Sequence, residues 1–348
     1  MSDKSTDSTK KSTEQPNNGL VEAMGQLSVN SDETSTPRKN LSDMPIDVVA
    51  LIIERSDYKE QIILRKVSKS FRALVDKHKP ALARLKIYCK YDLIICNYND
   101  HCVAYVSPGW SSSESPYYVE YIDTIITNDD YEQVAFDDLA LNLKNPKLKL
   151  KGFSFDSEEN NVVYDDSGSF DSEFHDKFKT MKNILKSRNH QLSVKTCAIN
   201  ISNPRNAMSI LPYLKPGVLE KITILHDGHG PGWKYSVETM QQVSLLDQWK
   251  QAEHLELRSG FAEFLVQHVT HFKRFEIYER ILTLDRLLEI RNCILEHENP
   301  EFCLIRYRFY DFGAFDIPDL SHYTIPDSEY YVEVKHDHYH VMIKKKKK

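Results

Sequence analysis

Three groupings of side chains in this sequence could do chemistry, and each invites a specific test. The first is His226-x-x-His229, with Asp227 between the two histidines and His254 further along. A structural zinc site needs four convergent ligands, and a short His spacing serves it on a helix or beside a cysteine pair. Here both histidines fall in the stretch HDGHGPGW, rich in Gly and Pro, and no cysteine pair completes a set. A polar loop is the preferred reading. Its glycines would suit a phosphate cradle, but Pro231 has no amide donor and no Lys-Ser/Thr follows.

The second grouping is VEVKHDHYHVMI near the C-terminus. On a strand, alternate side chains share a face, so His336, His338 and His340 would point one way and could take Zn²⁺ or Ni²⁺. An exposed edge strand is the simpler expectation. The third grouping is the six cysteines, Cys89, Cys96, Cys102, Cys197, Cys293 and Cys303, none of them in a CxxC pair. They read as reduced, buried thiols of a cytoplasmic or nuclear protein, without a disulfide framework. No Ser/His/Asp or Cys/His unit has a recognisable local signature. The sequence predicts no catalytic residues, no cofactor and no resident metal.

Composition narrows the partners. The chain has 348 residues, 41% of them hydrophobic, enough for a sizeable core arranged as a small module beside a larger one. Its net charge of -6 becomes -11 once the last five lysines are set aside (-6 - 5), which argues against a general nucleic-acid binder. No window approaches the run of ~20 apolar residues that spans a membrane, and the N-terminus lacks the apolar core of a secretory signal.

Residues 1–40 are rich in Ser, Thr, Lys, Asp and Asn, with one short apolar stretch at Leu20, Val21 and Met24. They read as a disordered tail in which Thr36-Pro37 is an ordinary linker pair. At Leu41 the character changes. Three short amphipathic segments follow within LSDMPIDVVALIIERSDYKEQIILRKVSKSFRALVDKHKP. Ser42 or Asp43 can cap the first, Pro45 suits its first turn, and Asp47 favours its positive end. Val48, Val49, Ile52 and Ile53 give it a broad apolar face. Tyr58 opens the second segment. Ser68 can cap a third that carries Phe71, Leu74 and Val75, and Pro80 lies just beyond it. Helices this short are not stable singly, so the module at 41–84 must lean on the rest of the chain or on a partner.

The same residues carry a family resemblance. Met44-Pro45, Val48-Val49 and Ile52-Ile53, followed by Leu64-Arg65-x-Val67-Ser68-Lys69-x-Phe71-Arg72, resemble an F-box, with Met for the usual Leu and Asp47 for the usual Glu. The resemblance implies docking to a Skp-family adaptor and, through it, to a cullin. Met44, Pro45, Val48, Val49, Ile52 and Ile53 would then supply adaptor-facing positions, with Leu64 and Val67 partly in the core.

Beyond Leu85 the pattern turns to strands. KIYCKYDLIICNYN and HCVAYVS read as a hairpin, and DSEENNVVYDDSGSFDSE at 156–173 as an exposed acidic loop in which Asp166-Ser167-Gly168 is plain solvated chain. Strand-like runs recur at 147–150, 192–199, 219–225, 254–257, 275–278, 302–309 and 331–342. Helical stretches are expected at 174–185, 208–214, 240–252 and 261–271. The predicted fold class is α/β: a three-helix F-box followed by an irregular αβ domain. A leucine-rich-repeat-like solenoid and an ordinary α/β or α+β domain are both open forms for that body, since the Asn/Cys ladder of true leucine-rich repeats is missing.

A second resemblance lies in the body. Leu211-x-x-Leu214-Lys215-Pro216-Gly217-x-Leu219-x-x-Ile222-x-Ile224, then Asp247-Gln248-Trp249-Lys250-Gln251-Ala252, then His271-Phe272-x-x-Phe275, are similar to the FTH domain that accompanies F-boxes in an expanded nematode family. By residue type these positions read as structural. Trp249 falls on one helical face with Leu245, Leu246 and Ala252 as a core anchor, Pro216-Gly217 is a turn, and His271 ends a helix. The predicted organisation is a tail at 1–40, the F-box at 41–84, a β-rich connecting region at 85–179, an FTH-like domain at 180–320, and a C-terminal strand with a polylysine tail at 321–348. The resemblances imply a substrate-recognition subunit of an SCF-type cullin–RING ubiquitin ligase whose body holds a target protein. A scaffold or decoy that binds without promoting ubiquitination is the alternative.

Overall fold

The structure, a computed structural model, describes residues 44–90, 92–111, 122–157, 177–201, 204–225, 237–258, 266–311, 322–324, 330–337 and 339–347. The chain divides into two compact units, residues 1–49 and 50–348. The predicted tail at 1–40, Ser42, Asp43, the motif His226-x-x-His229 with Asp227, His338, and nearly all of the acidic loop lie outside the described residues.

Three helices open the described chain: α1 (Ile46–Arg55), α2 (Tyr58–Val67) and α3 (Lys69–Lys77). Asp57 starts α2 through a reciprocal capping box, accepting from the Glu60 amide at 2.8 Å while Glu60 Oε2 accepts from the Asp57 amide at 2.9 Å. Ser68 caps α3 by accepting from the Phe71 amide. These caps satisfy orphan amides and fix where the short helices begin.

The described strands of the body form one sheet. They are β1 (Arg84–Cys89), β2 (Leu93–Tyr98), β3 (His101–Val106), β4 (Thr124–Thr127), β5 (Lys149–Ser157), β6 (Ser193–Asn200), β7 (Lys221–Leu225), β8 (His254–Arg258), β9 (Arg274–Thr283), β10 (Phe302–Asp311), β11 (His322–Thr324), β12 (Tyr330–His336) and β13 (His340–Lys347). Their spatial order is β11-β12-β13-β10-β9-β8-β7-β6-β5-β1-β2-β3-β4. From β5 to β10 each strand lies parallel beside the one before it in sequence. That is the order stacked strand–helix units produce. Antiparallel pairs flank this run, β1-β2-β3 on one side, with β4 added parallel to β3 at the edge, and β10-β13-β12-β11 on the other.

Helices α4 (Tyr131–Leu143), α5 (Lys177–Lys186), α6 (Val237–Ser244), α7 (Asp247–Lys250) and α8 (Leu284–Glu296) supply the other half of the core. Phe136, Phe178, Val243, Trp249 and Ile290 share one apolar cluster with Phe155, Ile199, Ile224, Leu257 and Ile305 from the strands. Phe178 meets Phe155 edge-on at 4.9 Å between ring centroids. Among the described residues, the opposite sheet face carries a small cluster on β2 and β3, built on Leu93, Ile95, Cys102, Ala104 and Val106.

Several expectations change. The single strand expected at 331–342 is a hairpin, because Asp337 turns the chain by accepting from the amides of Tyr339 and His340, each at 3.0 Å. The alternation that would have aligned three histidines is therefore broken. The lysines expected as a tail belong to β13, where Lys346 pairs with Glu333 at 2.9 Å and Lys345 donates to the His297 carbonyl at 3.1 Å. The helix expected at 240–252 is interrupted after Ser244, which leaves Leu245 exposed while Leu246, Trp249 and Ala252 turn inward as expected. The stretch 208–214 is 3₁₀ rather than α-helix.

Candidate docking site

The first helix is apolar around most of its circumference, carrying Ile46, Val48, Val49, Leu51, Ile52 and Ile53. A helix of that kind is stable when it is covered on more than one side. Within the chain one side is covered: Ile53 is fully buried at 0% exposure and Val49 is buried as well. Met44, Pro45, Ile46 and Val48 are exposed, Ile52 is half-buried, and Leu51 is 53% exposed. On α2, Ile63 and Val67, one helical turn apart, are 55% and 57% exposed, while Leu64 is half-buried. So Met44, Pro45 and Val48 are exposed, while Val49 and Ile53 are buried among the described residues. Ile63 is one of the apolar residues expected in the second segment, whereas Leu51 was not singled out from the sequence, although α1 has more apolar positions than one face can use.

The other sides of α2 and α3 are fixed to the body. Tyr58 stacks on Tyr98 of β2 with ring centroids 5.2 Å apart. Buried Gln61 donates to the Ile53 carbonyl at 3.0 Å and accepts from the Ala81 amide at 2.9 Å. Asn99, at the β2–β3 turn with φ of 58°, accepts from the amides of Ala83 and Arg84 and donates to the Ala81 carbonyl. Asn has the short polar side chain that tolerates such a backbone. Asn145, past α4, donates to the Asp76 carbonyl at 3.2 Å, and Lys147 donates to the Lys77 carbonyl. The described connection from α2 to β1 is thus held by side chains from three parts of the body.

The residues that carried the second resemblance converge. Trp249 is fully buried, donates from Nε1 to the His268 carbonyl at 2.9 Å, and meets Phe272 edge-on at 5.2 Å. His271 Nε2 is 2.8 Å from the Trp249 carbonyl. Gln248 donates to the Leu214 carbonyl at 2.7 Å, tying α7 to the segment before the Pro216-Gly217 turn. Gly217 has φ of 75°, and a Cβ there would lie 3.2 Å from Gln251 Oε1, so glycine suits the turn on both counts. This cluster is architecture.

Little in the described residues fits catalysis. Burial pushes the Cys89 thiol up to about 12 and the Cys293 thiol up to about 11, and it raises the other four as well. A nucleophilic cysteine needs the opposite shift. No grouping of His, Cys, Asp and Glu among the described residues could hold a metal ion. His336 bonds to the Tyr307 hydroxyl, and His340 pairs with Asp337 at 2.7 Å.

Comparison with known proteins matches both parts of this arrangement. The family model of the F-box domain matches residues 41–81, and that of the FTH domain matches residues 175–319. The chain is also similar to F-box A protein 224 of Caenorhabditis elegans, 23% identical over 288 residues, covering 80% of this chain and 70% of that protein.

Proposed function

Since the chain carries an F-box followed by an FTH domain, we propose that it is a substrate-recognition subunit of an SCF-type cullin–RING ubiquitin ligase. An F-box implies binding to a Skp-type adaptor, and F-box proteins are in general non-catalytic adaptors. The observation that carries the reading is the exposed apolar set Leu51, Ile63 and Val67, on helices that Gln61 ties to the Ile53 carbonyl and the Ala81 amide. Exposed aliphatics held on rigid short helices are what a hydrophobic partner surface completes. Leu51 and half-buried Ile52 are assigned to the adaptor contact on the larger unit, and exposed Met44, Pro45 and Val48 of the smaller unit are the positions the F-box resemblance gives to it.

In this reading the body presents a target protein, and the chain contributes proximity and orientation while the recruited conjugating enzyme does the chemistry. Six free cysteines, five of them buried, suit the reducing cytoplasm or nucleus. The test is a reconstituted ubiquitination assay with adaptor, cullin, RING subunit and a partner captured from cells by this chain. Faster transfer to that partner only in the presence of the chain supports the reading. Stable capture with no gain in transfer assigns the chain to the scaffold or decoy class instead.

A further inference from the structure

Among the described residues, alternation along the strands turns polar side chains to the sheet face opposite the helices, which no described helix covers. β1 reads RLKIYC, β7 KITIL and β8 HLELR, and in each the second and fourth residues are buried in the core. A parallel sheet with helices on both faces has apolar residues at nearly every position. Here the alternate positions are mostly polar or charged. The pairing register places Arg84, Gly152, Thr196, Lys221, His254 and Arg274 side by side in one row across the sheet. That row has no carboxylate. The next row runs Lys86, Ser154, Ala198, Thr223, Glu256 and Glu276. Both of its glutamates are already engaged, Glu256 by Lys221 at 2.7 Å and by Arg258, and Glu276 by Arg306. Lys86 and Arg274 are exposed and have no ion-pair partner among the described residues, and Arg84 meets only the exposed Asp100, at 3.6 Å. In these two rows the charge without an ion-pair partner among the described residues is cationic, on a chain whose net charge is -6, and Asp156 of the following row accepts from Asn200 at 3.0 Å.

Resting on the receptor reading and deepening it, we infer that this open face, between β1 and β9, receives the target, and that the target presents an extended acidic segment. From Arg84 to Arg274 the row crosses five strand spacings, about 24 Å at ~4.8 Å each, which about seven residues of extended peptide span at ~3.4 Å per residue. Carboxylates on such a segment gain partners in Arg84, Lys86 and Arg274 without breaking an engaged pair. Complementary charge of this kind sets register and speeds encounter more than it adds raw affinity. Phosphates would feel the same field. Single-stranded nucleic acid, however, is held on successive aromatic stacking platforms, and these two rows contain no Phe, Tyr or Trp between β1 and β9, Tyr88 and Tyr278 standing one row further on the two outer strands.

The experiment uses the full chain and a fluorescein-labelled oligoglutamate of about ten residues, long enough to cross the row, with binding read by anisotropy at low and physiological salt. The wild type binds saturably and more weakly as salt rises. Arg84→Gln, Lys86→Gln and Arg274→Gln combined weaken it about tenfold, equal to about 1.4 kcal/mol, with thermal unfolding and adaptor capture unchanged. Arg84→Lys with Arg274→Lys keeps binding, separating charge from fold. Absence of saturable binding, or equal binding by wild type and the triple variant, overturns the proposal. Tighter binding of an oligouridylate of the same length overturns it in favour of nucleic acid. Failure of adaptor capture by the wild type, with oligoglutamate binding intact, removes the ligase reading and leaves this face standing.

Discussion

Tyr58 and Tyr98 lie ring over ring, 5.2 Å apart and 19° from parallel, so that the second F-box helix rests directly on the second strand of the body. Gln61, one turn along the same helix, adds two hydrogen bonds across the connection. The described F-box helices α2 and α3 therefore have no slack linker between them and the sheet. In the proposed receptor role, a target on the body would keep a fixed relation to those two helices, which is what orientation requires.

Gln61→Leu tests that joint. The substitution keeps the volume but leaves the Ala81 amide and the Ile53 carbonyl without their side-chain partner. Each buried group left unsatisfied costs about 1–3 kcal/mol, so a loss of about 2–4 kcal/mol is expected in urea unfolding. A change within about 0.5 kcal/mol, the range for an indifferent surface site, would contradict the joint.

Trp249 anchors the body. Trp249→Ala removes a fully buried indole, and about 3–5 kcal/mol of stability is expected to go with it. Trp249→Phe restores most of the ring but not the donor to the His268 carbonyl. It should recover part of the loss and retain a deficit of about 1–3 kcal/mol. Full recovery by Phe would show that the hydrogen bond contributes nothing.

His271 makes stability depend on pH in a defined direction. Burial lowers its pKa and nearby Lys250 lowers it further, while its contact with the Trp249 carbonyl offsets part of that shift. A histidine whose folded pKa is below its unfolded value of ~6.5 is neutral in the fold. Its contribution is whole above about pH 6.5 and is lost as pH falls through the lower, folded value. His268 and His190 shift the same way through burial, so the wild type has a compound slope. His271→Gln should flatten that slope below about pH 6.5. An unchanged slope would show that His271 titrates as it does in water.

The thiols give a chemical test of the core. Burial raises all six, Cys89 to about 12. A thiol-specific disulfide reagent at neutral pH should label the native chain slowly and all six cysteines once it is denatured. A thiol that reacts at once in the native chain would contradict this packing.

The sequence was most legible where local rules act alone. Ser68 and Tyr58 begin helices as their types predict, and the strands at 192–199, 219–225 and 254–257 lie within a residue or two of β6, β7 and β8. Helix α4 went unread, although Tyr131, Ala135, Phe136, Leu139 and Leu143 bury one helical stripe, because it sits inside a region dominated by strand signals. The C-terminal hairpin was hidden by His-Asp-His-Tyr-His, whose alternation continues through a turn that Asp337 makes with backbone amides. The split of Val49 and Ile53 from Val48 and Leu51 was also illegible. Periodicity tells that α1 has two apolar sides, and only the packed chain tells which one it covers itself.

That split sets the deciding experiment. Leu51→Asp places a charge on an exposed position and should leave stability within about 0.5 kcal/mol, whereas Ile53→Asp buries a charge and should unfold the module. The direct measurement is calorimetric titration of purified chain, wild type and Leu51→Asp, with a Skp-type adaptor. Tight binding by the wild type and a loss of about 2 kcal/mol or more in the folded variant is the predicted result. Equal affinity of the two, or no binding by the wild type, would contradict adaptor docking through the exposed side of α1.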